Sequence, residues 1–276
     1  MNEQNLVETT KSYYDSTDAD EFYHTIWGGE DIHVGIYELA GESIFQASKR
    51  TIQTMVSQLP PVTDKTKILD LGAGYGGAAR YLAAKFGCSV DCLNLSETEN
   101  ARNEEKNRKV RLDDLITVTA GNFEAPPYPD EAFDIVWSED AFLHSDNKPK
   151  IFAEVRRVLK PGGHLIFTDP MQADDCPEDV LDPILQRIHL KEMGSVSRYR
   201  ELAAANGLNE MQVVEMPEQL ANHYTAVLEE LVRQESKLRS VVSAPYIENM
   251  KRGLQHWING GHKGYLNWGI LHFVKP

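Results

Sequence analysis

Residues Lys67–Ala84, KILDLGAGYGGAARYLAA, decide how the rest of the chain is read. The apolar run Ile68-Leu69-Asp70-Leu71 predicts a short strand buried on both faces. Gly72, Gly74, Gly76 and Gly77 follow as a turn, and Ala78, Leu82 and Phe86 then recur at helical spacing. Strand, glycine turn and helix together make a nucleotide site. Glycines permit positive φ and close backbone approach, and the helix start offers free N–H groups to a polar ligand. A packed turn without a ligand is the plainer alternative, but four glycines in this short span are costly without a use.

Two ligand patterns fit the turn. Gly72, Gly74 and Gly77 satisfy the dinucleotide fingerprint GxGxxG, which is weak on its own. Asp70, Gly72, Gly74 and Gly76 satisfy D/E-x-G-x-G-x-G, which resembles motif I of the class I S-adenosylmethionine methyltransferases. The second strand, Ser89–Leu95, ends on Asn94, where either pattern usually places an acid for the ribose hydroxyls. An amide can also donate to and accept from a diol, and an asparagine here can equally be a turn residue. Asn122 and Phe123 follow the third predicted strand, Ile116–Ala120, and Ser138 lies beyond the fourth, Ala132–Trp137. His144 sits just past that strand, where open α/β sheets bind ligands.

The chain has 276 residues, enough for one large domain or a domain with a cap. No run of eighteen apolar residues occurs, and the N-terminus MNEQNLVETTKSYYDS lacks an apolar signal core. Three cysteines, Cys88, Cys92 and Cys176, read as reduced thiols in a cytoplasm. Neither CxxC nor HExxH is present, so the sequence supports no metal. The net charge of −14 disfavours nucleic acid and anionic membranes as partners. It suits a soluble enzyme, or a host that accumulates salt.

The expected organisation is an N-terminal lid and helix over 1–60, a Rossmann-like core over 61–171, cap helices with remaining core elements over 172–264, and a final core strand over 265–276. Tyr13, Tyr14, Phe22, Tyr23, Trp27 and Tyr37 crowd a stretch too irregular for a simple helix, which reads as a lid laying aromatic faces over a ligand. A helix packed on the core is the alternative. Pro149–Leu159 is predicted as an amphipathic helix stopped by Lys160-Pro161-Gly162-Gly163, with strand five at His164–Thr168. Residues 172–209 read as mostly helical, Gln219–Val242 as a long helix, and Tyr246–Trp257 as a helix closed by Gly260-Gly261.

Beyond motif I, the chain carries WGGEDIHVGIYE (27–38), CLNLSETEN (92–100), WSEDAFLHS (137–145), LKPGGHLIFTD (159–169), FTDPM (167–171) and MKRGLQHWINGG (250–261). This combination resembles the sarcosine/dimethylglycine N-methyltransferases, which make glycine betaine, and the resemblance runs over nearly the whole chain. The asparagine of CLNLS and the terminal KRGLQHWINGG with Trp268 are its most specific parts. It implies a class I methyltransferase fold, a doubly wound sheet with an antiparallel last strand, and S-adenosylmethionine without a metal. A small zwitterionic amine is the implied substrate, and the protein a monomer or homodimer. Asp70, Gly72, Gly74, Asn94, Asn122, Phe123 and Ser138 are then expected to line the cofactor site, with Tyr23 and Trp27 covering it. The chemistry adds further expectations: Arg187 for the substrate carboxylate, Tyr224 and Trp268 for its ammonium end, and His144 as a base. For each, a purely structural role is the alternative. Related folds serving phosphobases or lipids, and a non-catalytic S-adenosylmethionine-binding module, are the competing functions.

Overall fold

A computed structural model describes residues 8, 11–39, 41–188 and 190–276. The N-terminal polar stretch falls partly outside these. Seven strands form one sheet in the order β3-β2-β1-β4-β5-β7-β6. They are β1 (Lys67–Leu71), β2 (Ser89–Asn94), β3 (Ile116–Ala120), β4 (Phe133–Glu139), β5 (Leu159–Gln172), β6 (Asn209–Glu215) and β7 (Leu266–Val274). Strands β1 to β5 pair in parallel, and β7 lies antiparallel between β5 and β6. The chain reverses its direction of progress between β1 and β4, the place where such sheets bind ligands beyond their carboxyl ends.

The two-residue period of the strands sorts side chains to two helical layers. Ile68, Ile135, Trp137, Ile166 and Ile270 face α2 (Ile44–Gln58), α3 (Gly77–Phe86) and parts of the C-terminal helices. Leu69, Leu71, Val136, Leu165, Phe167 and Phe273 face α5 (Lys148–Val158) and α7 (Val196–Ala205). Helix α4 (Glu97–Val110) lies beside α3, and its Asn103 and Asn107 accept hydrogen bonds from Arg80 of α3. A third cluster joins α1 (Thr17–Ile26) to α8 (Pro217–Leu238) and α9 (Ala244–His262) through Phe22, Trp27, Val227, Leu231, Ile247 and Leu254.

Several expected elements are placed differently. Residues 17–26 form a regular helix, because Ser16 caps it and Phe22 and Ile26 share a buried face. Strand β5 begins at Leu159 rather than His164. Its pairing with β4 shifts register between Phe133 and Ile135, and that irregularity takes up the Pro-Gly-Gly segment. Among the described residues between 172 and 209, only α6 (Asp182–Arg187) and α7 are α-helical, and α7 packs on the core rather than over the sheet's mouth. Helix α9 runs through Gly260-Gly261. Both glycines serve packing: a β-carbon on Gly260 would meet Leu266 at 2.9 Å, and one on Gly261 would meet Ala221 at 3.0 Å. Chain reversal comes at Gly264, whose φ is +72°.

Candidate active site

Two adjoining chambers open beyond the carboxyl ends of β1, β2, β3 and β4. The first brings together Asp70, Gly72, Gly74, Asn94, Asn122 and Phe123, and is also lined by Asp31, His33, Glu99 and Glu139. The second is lined by Tyr13, Tyr14, Tyr23, Trp27, Tyr224, Tyr246 and Trp257 around Arg187. Tyr14, Ile32, Asp140 and His144 border both, so the chambers communicate at that wall.

The glycines of the turn separate by purpose. A β-carbon on Gly72 would fall 2.3 Å from that of Ala141, on Gly76 2.2 Å from Asn103 Oδ1, and on Gly77 1.9 Å from Asp31 Oδ1. These three admit neighbouring parts of the protein. Gly74 differs: its φ is +50°, yet a β-carbon there would meet nothing nearer than Ile32 Cδ1 at 3.6 Å. It is the glycine of the turn whose open side faces the first chamber.

Asn94 donates from Nδ2 to Glu99 Oε2 at 2.8 Å. Burial raises the Glu99 carboxyl to about 7, against the pull of that hydrogen bond. An acid therefore does stand beside the end of β2, contributed by the first turn of α4. Sequence reading missed it because Ser96 and Glu99 have the spacing of a helix capping box, and Ser96 does accept from the Glu99 N–H. The N-terminal segment closes this side: Asp15 accepts from Ser96 Oγ at 2.7 Å and from the Thr98 N–H at 3.3 Å, and Lys11 lines the chamber.

Asp140 is the hub between the chambers. Its backbone is left-handed, with φ +53°, an uncommon conformation for a non-glycine residue. Its Oδ2 accepts from the Val34 N–H at 2.6 Å, and its Oδ1 from Thr168 Oγ1 at 2.7 Å and Trp268 Nε1 at 2.8 Å. One carboxylate thus joins the N-terminal segment, β5 and β7 at the wall that both chambers share.

Tyr23 and Trp27, expected to cover the cofactor site, line the second chamber. Helix α1 packs against α8 and α9, and so presents them there. Trp268 is fully buried, borders neither chamber and serves Asp140. Ser138 is also fully buried and donates to the Leu71 carbonyl at 2.7 Å, bracing β4 against β1. His144 accepts or donates at Nε2 with the Tyr14 hydroxyl, 3.0 Å away. Burial and nearby Lys148 lower its pKa to about 4, so the imidazole is neutral near pH 7.

Arg187 ends α6 and reaches the second chamber beside Met250, with Nη2 at 2.9 Å from its sulfur. The phenols of Tyr13, Tyr23, Tyr224 and Tyr246 surround it, and among the described residues no carboxylate pairs with it. Burial keeps the Tyr14, Tyr23, Tyr224 and Tyr246 hydroxyls protonated. Tyr224 stacks on Trp257 with centroids 5.0 Å apart. Tyr13 bridges Tyr23 and Tyr246 through their hydroxyls at 3.2 and 3.0 Å. The result is an aromatic chamber around a guanidinium with no ion-pair partner among the described residues.

A family model described as a methyltransferase domain matches residues 69–167. Over 98% of this chain and 96% of the relative, the sequence is 52% identical to a sarcosine/dimethylglycine N-methyltransferase of Halorhodospira halochloris. It is 48% identical, over 98% of both chains, to the enzyme of that name from Aphanothece halophytica. This chain belongs to the sarcosine/dimethylglycine N-methyltransferase family. A crystal structure from Galdieria sulphuraria, provisionally described as a sarcosine dimethylglycine methyltransferase, superposes with a TM-score of 0.91 at 47% identity. That match covers 95% of this chain and 98% of the other. The family's fold is the one described above.

Proposed function

We propose that this methyltransferase converts sarcosine and dimethylglycine towards glycine betaine, with S-adenosylmethionine in the first chamber and the amine in the second. The observation that carries the reading is Arg187, a guanidinium unpaired with any described carboxylate, in an aromatic chamber that meets the glycine-turn chamber at Tyr14, Ile32, Asp140 and His144. An N-methylated glycine has two charged ends and little apolar body. A guanidinium suits its carboxylate and aromatic faces suit its alkylated nitrogen.

Gly74 leaves the turn open on the chamber side; there Asn94 and Glu99 would hold the donor's ribose, and Asn122 and Phe123 its adenine. Bound S-adenosylmethionine would supply a sulfonium methyl open to in-line attack by an amine lone pair, N–C forming as S–C breaks and the electron pair leaving on sulfur as S-adenosylhomocysteine. The residues of the shared wall hold the amine towards that methyl and exclude water, which favours reaction by orientation. His144 is a poor base for an alkylammonium: at about 4 it lies roughly six units below the usual alkylammonium value of about 10. Its role in this reading is to fix the Tyr14 hydroxyl, and the amine loses its proton to water before attack. Among the described residues lining the second chamber, Arg187 is the sole lysine or arginine, which suits a carboxylate better than a doubly charged phosphate.

Replacing Arg187 tests the reading. Arg187→Ala is expected to lose roughly 1.5–3 kcal/mol of substrate binding, ten- to a hundredfold in KM. Arg187→Lys keeps the charge without the planar fork and is expected to lose less. Direct titration with S-adenosylmethionine should be nearly unchanged in both. Unaltered kinetics on dimethylglycine in Arg187→Ala would remove Arg187 as the carboxylate partner.

A further inference from the structure

The first chamber contains a charged group that the methyl-transfer reading leaves unused. Asp31, His33, Asp70 and Glu139 all line it at the β1 and β4 ends. The side chains of His33 and Glu139 are 5% and 8% exposed. His33 Nε2 stands 3.3 Å from Glu139 Oε1 and 3.7 Å from Asp31 Oδ1, yet Nε2 and Oε1 have no aligned hydrogen-bond partner among the described residues. Buried polar atoms are rarely left so. Both atoms belong to residues that form the chamber wall, so a ligand there can satisfy them.

The ring is fixed for this purpose. Its Nδ1 lies 3.1 Å from the Val34 carbonyl, which can only accept, so Nδ1 carries a proton. Ser48 Oγ donates to the His33 carbonyl, Thr51 Oγ1 donates to that of Val34, and the Val34 N–H donates to Asp140. Gly77 lacks the β-carbon that would displace the Asp31 carboxylate from the start of α3. With two carboxylates at Nε2, the proton on that nitrogen is favoured as well. Burial alone would lower the imidazolium pKa, but Glu139, Asp31 and Asp140 outweigh it and hold it at about 10.

We infer that His33 and Glu139 form a clamp for the α-amino acid end of the methyl donor, His33 donating to its carboxylate and Glu139 accepting from its ammonium. This rests on the first chamber being the donor site. Sheet order supplies the direction. With the adenosine at the β3 and β2 ends, the remaining part of the molecule lies over β1 and β4, where the clamp is. An α-amino acid carries its two opposite charges on substituents of one carbon, and an imidazole nitrogen and a carboxyl oxygen 3.3 Å apart present the complementary donor and acceptor. Asp31 then keeps His33 charged from the side of α3. The plainer alternative is an internal ion pair that touches no ligand.

Calorimetric titration of the full chain separates the two. The probes are S-adenosylhomocysteine and 5′-methylthioadenosine, which shares the adenosine and sulfur but lacks the amino acid. The unaltered chain should bind S-adenosylhomocysteine at least tenfold more tightly, and equal affinities would overturn the clamp whatever the variants do. In Glu139→Gln and His33→Gln, S-adenosylhomocysteine should weaken tenfold or more while 5′-methylthioadenosine changes less than twofold. Equal weakening of both ligands would mean that the pair only supports the fold, and no weakening of either would also overturn the inference. If the unaltered chain binds neither ligand, the donor-site reading fails and this inference falls with it.

Discussion

Arg187 occupies space that Gly253 leaves empty: a β-carbon on that glycine would lie 2.3 Å from Nε and 2.6 Å from Cζ of the guanidinium. Gly253 sits inside α9, where glycine costs roughly 1 kcal/mol relative to alanine. The flexible end of Arg187 would yield before the helix does. Gly253→Ala is therefore expected to raise KM for dimethylglycine about tenfold. S-adenosylmethionine affinity and the melting temperature should hold or rise slightly. Steady-state kinetics beside a thermal melt checks this, and an unchanged KM would show that the guanidinium's position is not critical.

The glycine turn makes a paired prediction. Gly74→Val puts a branched side chain into open space on the donor side of the turn, so it should weaken S-adenosylmethionine at least tenfold. The positive φ adds a stability cost of roughly 1–2 kcal/mol. Gly76→Ala should act the other way, because its β-carbon would strike Asn103. It is expected to lower the melting temperature more than the affinity. Calorimetry on both proteins distinguishes them, and reversed effects would refute the assignment of Gly74.

Asn94 and Glu99 face the ribose in this account. Asn94→Leu removes the donor to Glu99 and leaves a buried carboxylate with less compensation. S-adenosylmethionine and S-adenosylhomocysteine have the same ribose, so both should weaken by a similar factor. Selective weakening of the methylated form, measured by titration, would contradict the assignment.

The core and the first chamber were legible because motif residues there act through backbone and strand position. Asp70, Gly72, Gly74, Asn94, Asn122 and Phe123 lie in or just after β1, β2 or β3, and the strand period carries them to one edge. The misplacements have a common cause. Tyr23, Trp27 and Trp268 are candidates by residue type alone, but which way an aromatic points depends on packing between distant segments, here α1 on α8 and α9, and β7 on β5. Ser138 faces Leu71 across the sheet for the same reason. Glu99 and Gly253 were hidden differently. Each has an ordinary local explanation, a capping box and a glycine in a helix, and only the tertiary structure shows what approaches it.

The pH dependence separates two roles for His144. Its pKa of about 4 means that it is neutral throughout pH 5–9 and contributes no rising limb there. The amine substrate titrates near 10 and reacts only when deprotonated, so kcat/KM should climb about tenfold per pH unit over roughly pH 6–9. His144→Gln should lower kcat and leave that slope unaltered. A separate inflection between pH 6 and 7 that disappears in His144→Gln would instead identify His144 as the base.

Transfer of a labelled methyl group decides whether the two chambers work as one methyl-transfer site. The protein is incubated with S-adenosylmethionine bearing a trideuterated methyl, and with sarcosine or dimethylglycine in separate reactions. Dimethylglycine should yield glycine betaine carrying one trideuteromethyl group, formed in step with S-adenosylhomocysteine, and Arg187→Ala should lose this activity at low substrate. Binding of S-adenosylmethionine with no labelled product from either amine would contradict a single methyl-transfer site.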